Sequence, residues 1–388
     1  MLHVAFALMF YSKKIIGMKI KSLSLNNYKK FRRTGQPFNF DFFDHETGIV
    51  NEVTLITGNN GEGKTSVLQA IAAVVGAAVR DKFGPQDLEW PGFNYAYIQN
   101  ENLPVRIVVD LVFEQEEVNS IREFCKELQS LKTDSMLRVP PNRLNVSLYL
   151  NKDSNKVFAT TDSGMDAYFL TKGYQYAKQL ESIDRNYGLR FERVGSIYWY
   201  DEQRTSASIT KYLYSEFKDE KITDQLGAIK QLVANWYYAH LDIQMGRFKL
   251  REGQFDKFDK LKNLYEKVFV GRTIERATLQ KGGGNGIDVI FNDGENDYDL
   301  TEMSAGERAI FPLLLDFANL SINNSIILID EIELHLHPPL QQQFLDALPN
   351  LGNNNQFIIT THSPFIASQF SDDNKIVVSN ESNSLLIL

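Results

Sequence analysis

The sequence predicts an α/β fold with a mixed sheet core, an antiparallel β subdomain and an inserted, mainly helical lobe. Three patterns carry this expectation. A β-branched run, Val53-Thr54-Leu55-Ile56-Thr57, enters the glycine-rich stretch Gly58-Asn59-Asn60-Gly61-Glu62-Gly63-Lys64-Thr65-Ser66, and residues 67–75 follow with helically spaced apolar positions. Two further apolar runs, Ser325-Ile326-Ile327-Leu328-Ile329 and Gln356-Phe357-Ile358-Ile359, end in polar residues and read as buried strands of parallel type. Near the start, residues 19–43 alternate apolar and polar side chains, as in Phe38-Asn39-Phe40-Asp41-Phe42, which fits a hairpin-like pair of half-buried strands.

Bulk composition bounds the rest. The 388 residues, 43% of them hydrophobic, suffice for one large core or two to three lobes. The single cysteine, Cys125, excludes an internal disulfide framework and suits a reducing, cytoplasmic setting. A net charge of -8 argues against a uniformly basic nucleic-acid binder and leaves only a localised face for such contact. Residues 1–17 hold a short apolar stretch followed by Lys13 and Lys14; it is too short to span a bilayer and has no basic leader before it. Met18 directly precedes the first strand, so residues 1–17 are expected to be a dispensable extension of a soluble protein that does not enter a membrane.

The glycine stretch satisfies G-x-x-x-x-G-K-[ST] between a strand and a helix, the context its chemistry needs. Glycines let backbone N–H groups converge on phosphate oxygens, and the following helix adds its positive end. Lys64 then reaches the outer phosphates and Thr65 offers a hydroxyl to Mg²⁺. Before it, Lys29, Lys30, Arg32 and Arg33 read either as a solvated turn or as a contact to nucleotide or nucleic-acid phosphates. After it, residues 105–113, 144–150 and 194–200 read as strands and 116–131, 222–241 and 255–270 as helices. No long heptad run occurs, so the middle region is expected to be a compact lobe without a coiled-coil arm. Residues 247–281 carry ten Lys/Arg against five Asp/Glu; this is a solvated face or a site for DNA or RNA. Gly282-Gly283-Gly284-Asn285-Gly286 reads as a flexible turn before the strand at 287–291.

The last quarter supplies groups that could act on a bound triphosphate. Asp330 and Glu331 end one buried strand, where Mg²⁺ and an attacking water would sit. Asp330 is expected in the metal shell and Glu331 as general base. His362 ends the next buried strand and is expected near the γ-phosphate. Upstream, Met303-Ser304-Ala305-Gly306-Glu307-Arg308 opens a helix with a capping-box pattern, Ser304 and Glu307, and with small residues that would let backbone N–H groups approach an anion. Pro312 lies inside that helix and is expected to bend it.

Together these residues resemble the ABC-type ATPases of the RecF, SMC and overcoming-lysogenization-defect (OLD) group, as found in bacterial AAA-labelled defence ATPases. Residues 58–66 look like their Walker A, 303–307 like the signature written LSGGQ, Asp330-Glu331 like Walker B and His362 like the switch histidine. Glu333-Leu334-His335-Leu336-His337-Pro338 is similar to their D-loop stretch. The resemblance implies an ABC-ATPase head with residues 18–82 as its first half, 83–299 as an inserted lobe that includes part of the head sheet, and 300–388 as its second half.

It further implies ATP and Mg²⁺ as cofactors and a head-to-tail dimer or higher oligomer, with ATP on Lys64 of one copy sealed by Ser304 and Gly306 of another. A Q-loop glutamine in contact with nucleotide and metal is implied as well; Gln203, just after the 198–200 strand, is the expected one, with Gln99 as its rival and Arg204 joining the nucleotide shell. Ala305 and Glu307, which the resemblance places among the nucleotide contacts beside Ser304 and Gly306, depart from the signature pattern, as does Pro312 just after it. OLD-type proteins continue into a metal-dependent nuclease, whereas twenty-six residues follow His362 here, with Asp372, Asp373 and Glu381 as their acids. The expectation is therefore an ATPase resembling the stand-alone subunits of Septu- or PARIS-like defence pairs, commanding an effector such as a nuclease on another polypeptide. A RecF-like DNA-repair ATPase and a nucleotide-dependent assembly scaffold are the alternatives, and a transporter subunit is a weaker third.

Overall fold

The computed structural model describes residues 17–31, 36–79, 105–131, 137–153, 156–161, 168–184, 190–201, 225–251, 253–279, 286–320 and 322–379. In chain order the elements are β1 (Lys19–Asn26), β2 (Phe38–Asp41), β3 (Val53–Thr57) and α1 (Lys64–Ile71), which continues through a π-helical turn, Ala72–Gly76, into Ala77–Val79. Then come β4 (Arg106–Val112), α2 (Gln115–Leu131), β5 (Asn145–Asp153), β6 (Lys156–Thr161), α3 (Gly173–Asp184), β7 (Ile197–Tyr200), α4 (Gln225–Gln244) and α5 (Lys257–Val268). Strands β8 (Thr273–Leu279), β9 (Ile287–Asn292) and β10 (Asp297–Asp299) precede α6 (Ala305–Leu320), β11 (Ile326–Ile329), α7 (Pro338–Ala347), β12 (Gln356–Thr360), α8 (Pro364–Ala367) and β13 (Lys375–Val377).

These strands form three sheets. The central one, ordered β13-β3-β12-β11-β7, is parallel at every described pairing. The antiparallel pairing expected at the start of the chain belongs to a separate sheet, β2-β1-β4-β5-β6, and a small third sheet is β10-β9-β8. The middle region thus supplies β4, β5 and β6 to one large sheet and β7 to the other, besides its helices.

Alternation along the central strands builds two cores, because successive side chains leave a strand on opposite faces. Ile326, Leu328, Ile358, Ile197 and Trp199 pack with α1 and the antiparallel sheet. Ile327, Ile329, Phe357, Ile359, Tyr198 and Tyr200 face the other way, onto α4 to α7. The helix after the glycine turn is therefore held between two sheets, with Val67, Leu68 and residues 70–79 all buried. This fixes its first turn rigidly at the carboxyl ends of β3, β11 and β12.

Local chemistry sets the element ends. Helix α5 begins at Lys257 because the Asp256 side chain accepts from the Asp259 N–H at 3.0 Å, which stops the expected start at Phe255. Helix α6 runs through Pro312. Residues 222–224, Arg32, Arg33 and the turn at 282–285 lie outside the described residues.

One buried acid sits where the sheets meet. Glu117 on α2 accepts from the Gly195 N–H at 2.7 Å through Oε1, while its buried Oε2 has no hydrogen-bond partner among the described residues. Burial pushes its carboxyl up to about 8, against the pull of the Gly195 hydrogen bond and of Lys19, whose own ammonium burial lowers to about 8. Between the unfolded pKa near 4.5 and about 8 the folded state binds the extra proton on Glu117, so stability falls as pH rises through that window. A Glu117→Gln protein is expected to lose this slope. Melting temperatures from pH 5 to 8 should fall by several degrees in the wild type and stay flatter in the variant; parallel curves would contradict the assignment.

Candidate functional site

Three strand ends meet at the glycine turn. β3 delivers Gly58, and β11 and β12, its near neighbours in register, deliver Asp330-Glu331 and Thr361-His362. The turn needs two of its glycines for stated reasons. Gly58 has φ 151° and a Cβ there would meet the Val378 carbonyl oxygen at 2.3 Å; Gly63 has φ 111° and a Cβ would come 3.0 Å from the Phe31 ring. Glu62 fastens the turn, accepting the Asn59 N–H at 2.6 Å and the Asn59 amide at 3.2 Å. Lys30 donates to the Gly61 carbonyl, so part of the basic cluster before β2 does lie against this turn.

The Lys64 ammonium stands at the mouth of the turn. It donates to the Gly58 and Asn59 carbonyls at 2.7 and 3.1 Å and lies 3.0 Å from His362 Nδ1. Burial lowers its pKa, while Glu331, Glu62, Glu333 and Asp330 around it pull the other way. With Nδ1 accepting from Lys64, the neutral ring carries its proton on Nε2, which faces Glu331 Oε1 at 3.3 Å. Lys64, His362 and Glu331 therefore form one connected chain of groups.

Glu331 reaches this place through an unusual backbone. Its φ is 47°, a left-handed conformation that non-glycine residues adopt sparingly and that clusters at functional sites. The Glu331 N–H donates to Thr360 Oγ1 at 2.8 Å, and that hydroxyl donates to Asp330 Oδ1 at 2.5 Å. The same Asp330 oxygen accepts from Thr65 Oγ1 at 3.1 Å. Glu333 supports the histidine strand, accepting from Thr361 Oγ1 at 2.7 Å and from the His362 N–H.

A hydroxyl and one carboxylate held side by side suit Mg²⁺, which keeps waters and takes further ligands from phosphates. The glycine turn in front of them is a cradle that side chains would fill. Both features fit a magnesium nucleotide.

The signature-like residues form a built helix start. Ser304 Oγ accepts the Glu307 N–H at 3.2 Å and Glu307 Oε2 accepts the Ser304 N–H at 2.9 Å, the reciprocal capping box expected from the sequence. Gly306 has a packing reason as well as the expected access for anions: a Cβ there would meet Leu340 Cδ2 at 2.7 Å and the His335 carbonyl at 3.3 Å. Ala305 begins α6, with its side chain exposed. Glu307 itself is 2% exposed and its carboxylate is spent on internal partners, so its side chain is not turned toward a nucleotide. Among the described residues no hydrogen bond or ion pair joins 304–308 to 58–66, so the two halves of the expected clamp stand apart within one copy.

Gln203, Gln99 and Arg204 lie outside the described residues. Of the basic stretch, Arg272 pairs with Glu307, Arg276 with Asp297, and Lys257 donates to Asn319, so several of its charges are used internally; Arg247, Lys249 and Arg251 are exposed. Sequence reasoning missed Thr360, which orders both acids, and the link from Lys30 to the turn. A threonine ending the strand beside Asp330 was the available signal for the first. No described helix is long and apolar enough to cross a membrane.

This chain is similar to several known proteins. It is 25% identical to the retron Vc95 probable ATPase of Vibrio cholerae serotype O1 biovar El Tor, over 94% of its own length and 74% of that protein. It is 29% identical to the Septu protein PtuA of Bacillus mycoides over 28% of its length and 16% of that protein. Among solved structures, an SMC head bound to the C-winged helix domain of ScpA superposes with a TM-score of 0.51 at 15% identity, covering 93% of this chain and 94% of that one. This likeness shows the fold, that of an SMC head. Residues 18–367 match the AAA ATPase domain family. The chain belongs to that family.

Proposed function

We propose that this protein binds ATP with Mg²⁺, closes head to tail with a second copy, hydrolyses the nucleotide and thereby regulates a separate effector in defence against phage. The observation that carries the proposal is the convergence of Lys64, Thr65, Asp330, Glu331 and His362 at one glycine turn. Lys64 and the turn's N–H groups bind the phosphates, and Thr65 with Asp330 would hold Mg²⁺, which when bound would neutralise phosphate charge. Glu331 accepts the proton of the attacking water as its oxygen bonds to the γ-phosphorus and the bond to the β-phosphate oxygen breaks, giving ADP and phosphate. His362, fixed between Lys64 and Glu331, orients that acid. Ser304 and the N–H groups of Ala305 and Gly306 meet the γ-phosphate of the other copy.

The defence reading draws on the retron and Septu relatives named above; a retron ATPase that is similar along most of this chain gives it more support than the shorter match. A DNA-acting ATPase would use the exposed Arg247, Lys249 and Arg251. Steady-state hydrolysis separates the two: duplex DNA should leave the rate unchanged for an effector regulator and raise it for a repair ATPase. The clamp has its own test. Ser304→Arg is expected to leave ATP affinity at the glycine turn unaltered while turnover falls about a hundredfold, since the helix start it blocks serves another copy's nucleotide. Equal loss of affinity and turnover would contradict that division of labour.

A further inference from the structure

Glu307 occupies a site made for a carboxylate. Its Oε1 accepts from Tyr265 OH at 2.7 Å, from Tyr298 OH at 2.5 Å and from Arg272 Nη1 at 2.7 Å, and its Oε2 takes the Ser304 N–H. The two phenols are themselves 3.0 Å apart. Four donors thus point at two oxygens, and a carboxylate accepts all of them. A glutamine would set its NH₂ against Ser304 N–H, or, flipped, against the two phenols and the guanidinium. The glutamine of the usual signature therefore does not fit here.

Burial opposes charge on Glu307, yet the hydrogen bonds from Tyr298, Tyr265, Ser304 and Arg272 outweigh it and hold its carboxyl down at about 2. Tyr298 is pushed the other way, up to about 12, by burial and by its bond to the same carboxylate. The group is ionised throughout the working range. Its donors come from three elements outside α6: Tyr265 from α5, Arg272 from the turn before β8, and Tyr298 from β10. Arg272 is its outer end, with the side chain 39% exposed against 3% for Glu307.

This matters for Ser304. Its Oγ accepts the Glu307 N–H, which turns the hydroxyl proton away from the helix, and its own N–H is tied to the Glu307 carboxylate. Its carbonyl accepts the Arg308 N–H at 3.0 Å as the first bond of the helix, and among the described contacts its hydroxyl meets only the Glu307 N–H. We propose that Arg272, Tyr265 and Tyr298 are positioning residues for Ser304, acting through Glu307 so that the α5 and β8-β9-β10 unit sets how this helix start meets the nucleotide of another copy. This rests on the clamp reading above.

The test is a mutant cycle on the full chain. Arg272→Gln is expected to lower kcat about tenfold, the scale of one lost hydrogen bond to a buried charge, while affinity for a fluorescent ATP analogue at the glycine turn stays unchanged. Arg272→Lys should recover part of kcat. In a Ser304→Ala background, Arg272→Gln should cost nothing further, because both residues act through one group. Tyr298→Phe, which deletes a single hydroxyl, should repeat the pattern with a smaller loss and decides the matter if Arg272→Gln fails to fold. Additive losses, or wild-type kcat in Arg272→Gln, would overturn the inference. Wild-type turnover in Ser304→Ala would instead remove the clamp reading beneath it.

Discussion

Replacing Lys64 by alanine is expected to lower γ-phosphate release at least about a hundredfold, the usual effect of deleting a preorganised charge at a transferring phosphoryl group. Two turn carbonyls and His362 lie within hydrogen-bond distance of the ammonium and hold it at the glycine turn. Because the same charge would contact phosphate in the ground state too, ATP affinity should weaken together with turnover. Lysine loss also leaves His362 Nδ1 without its donor and loosens the ring against Glu331. Phosphate release and nucleotide binding, measured on one purified preparation, check both parts. Intact release in Lys64→Ala would show that the glycine turn is not the reaction site.

Glu331→Gln should split the same two quantities. The amide keeps the size of the acid and can still meet His362, but it cannot accept a water proton, so hydrolysis is expected to fall about a thousandfold with ATP affinity retained. The left-handed backbone at this residue and its N–H bond to Thr360 do not depend on the side chain, so the fold of the site should survive. Bound nucleotide recovered from the variant after incubation should be ATP, whereas the wild type should hold ADP. A variant that hydrolyses at the wild-type rate would move the general base elsewhere.

The parts of this site that follow one another along the chain were legible in the sequence, and the parts that meet across the fold were not. The glycine turn, the two acids and the histidine each close a short apolar strand, and a parallel sheet brings such ends together on one side. The capping box was legible too, since its partners are three residues apart. The resemblance places Glu307 among the nucleotide contacts because of its position in the motif. Its actual partners, Tyr265, Tyr298 and Arg272, come from other elements, and only their packing turned the carboxylate inward. Nothing local in the sequence distinguishes a surface glutamate from one that satisfies four donors. Lys30 shows the same limit: a basic cluster beside a predicted turn has no address until β1 and β2 lay it against Gly61.

The clamp is tested most directly by the mass in solution of Glu331→Gln with and without magnesium ATP. The variant should weigh one chain alone and two chains with ATP, and adding Ser304→Arg should return it to one. A single-chain mass in every condition, or a dimer indifferent to both nucleotide and Ser304, would contradict the account.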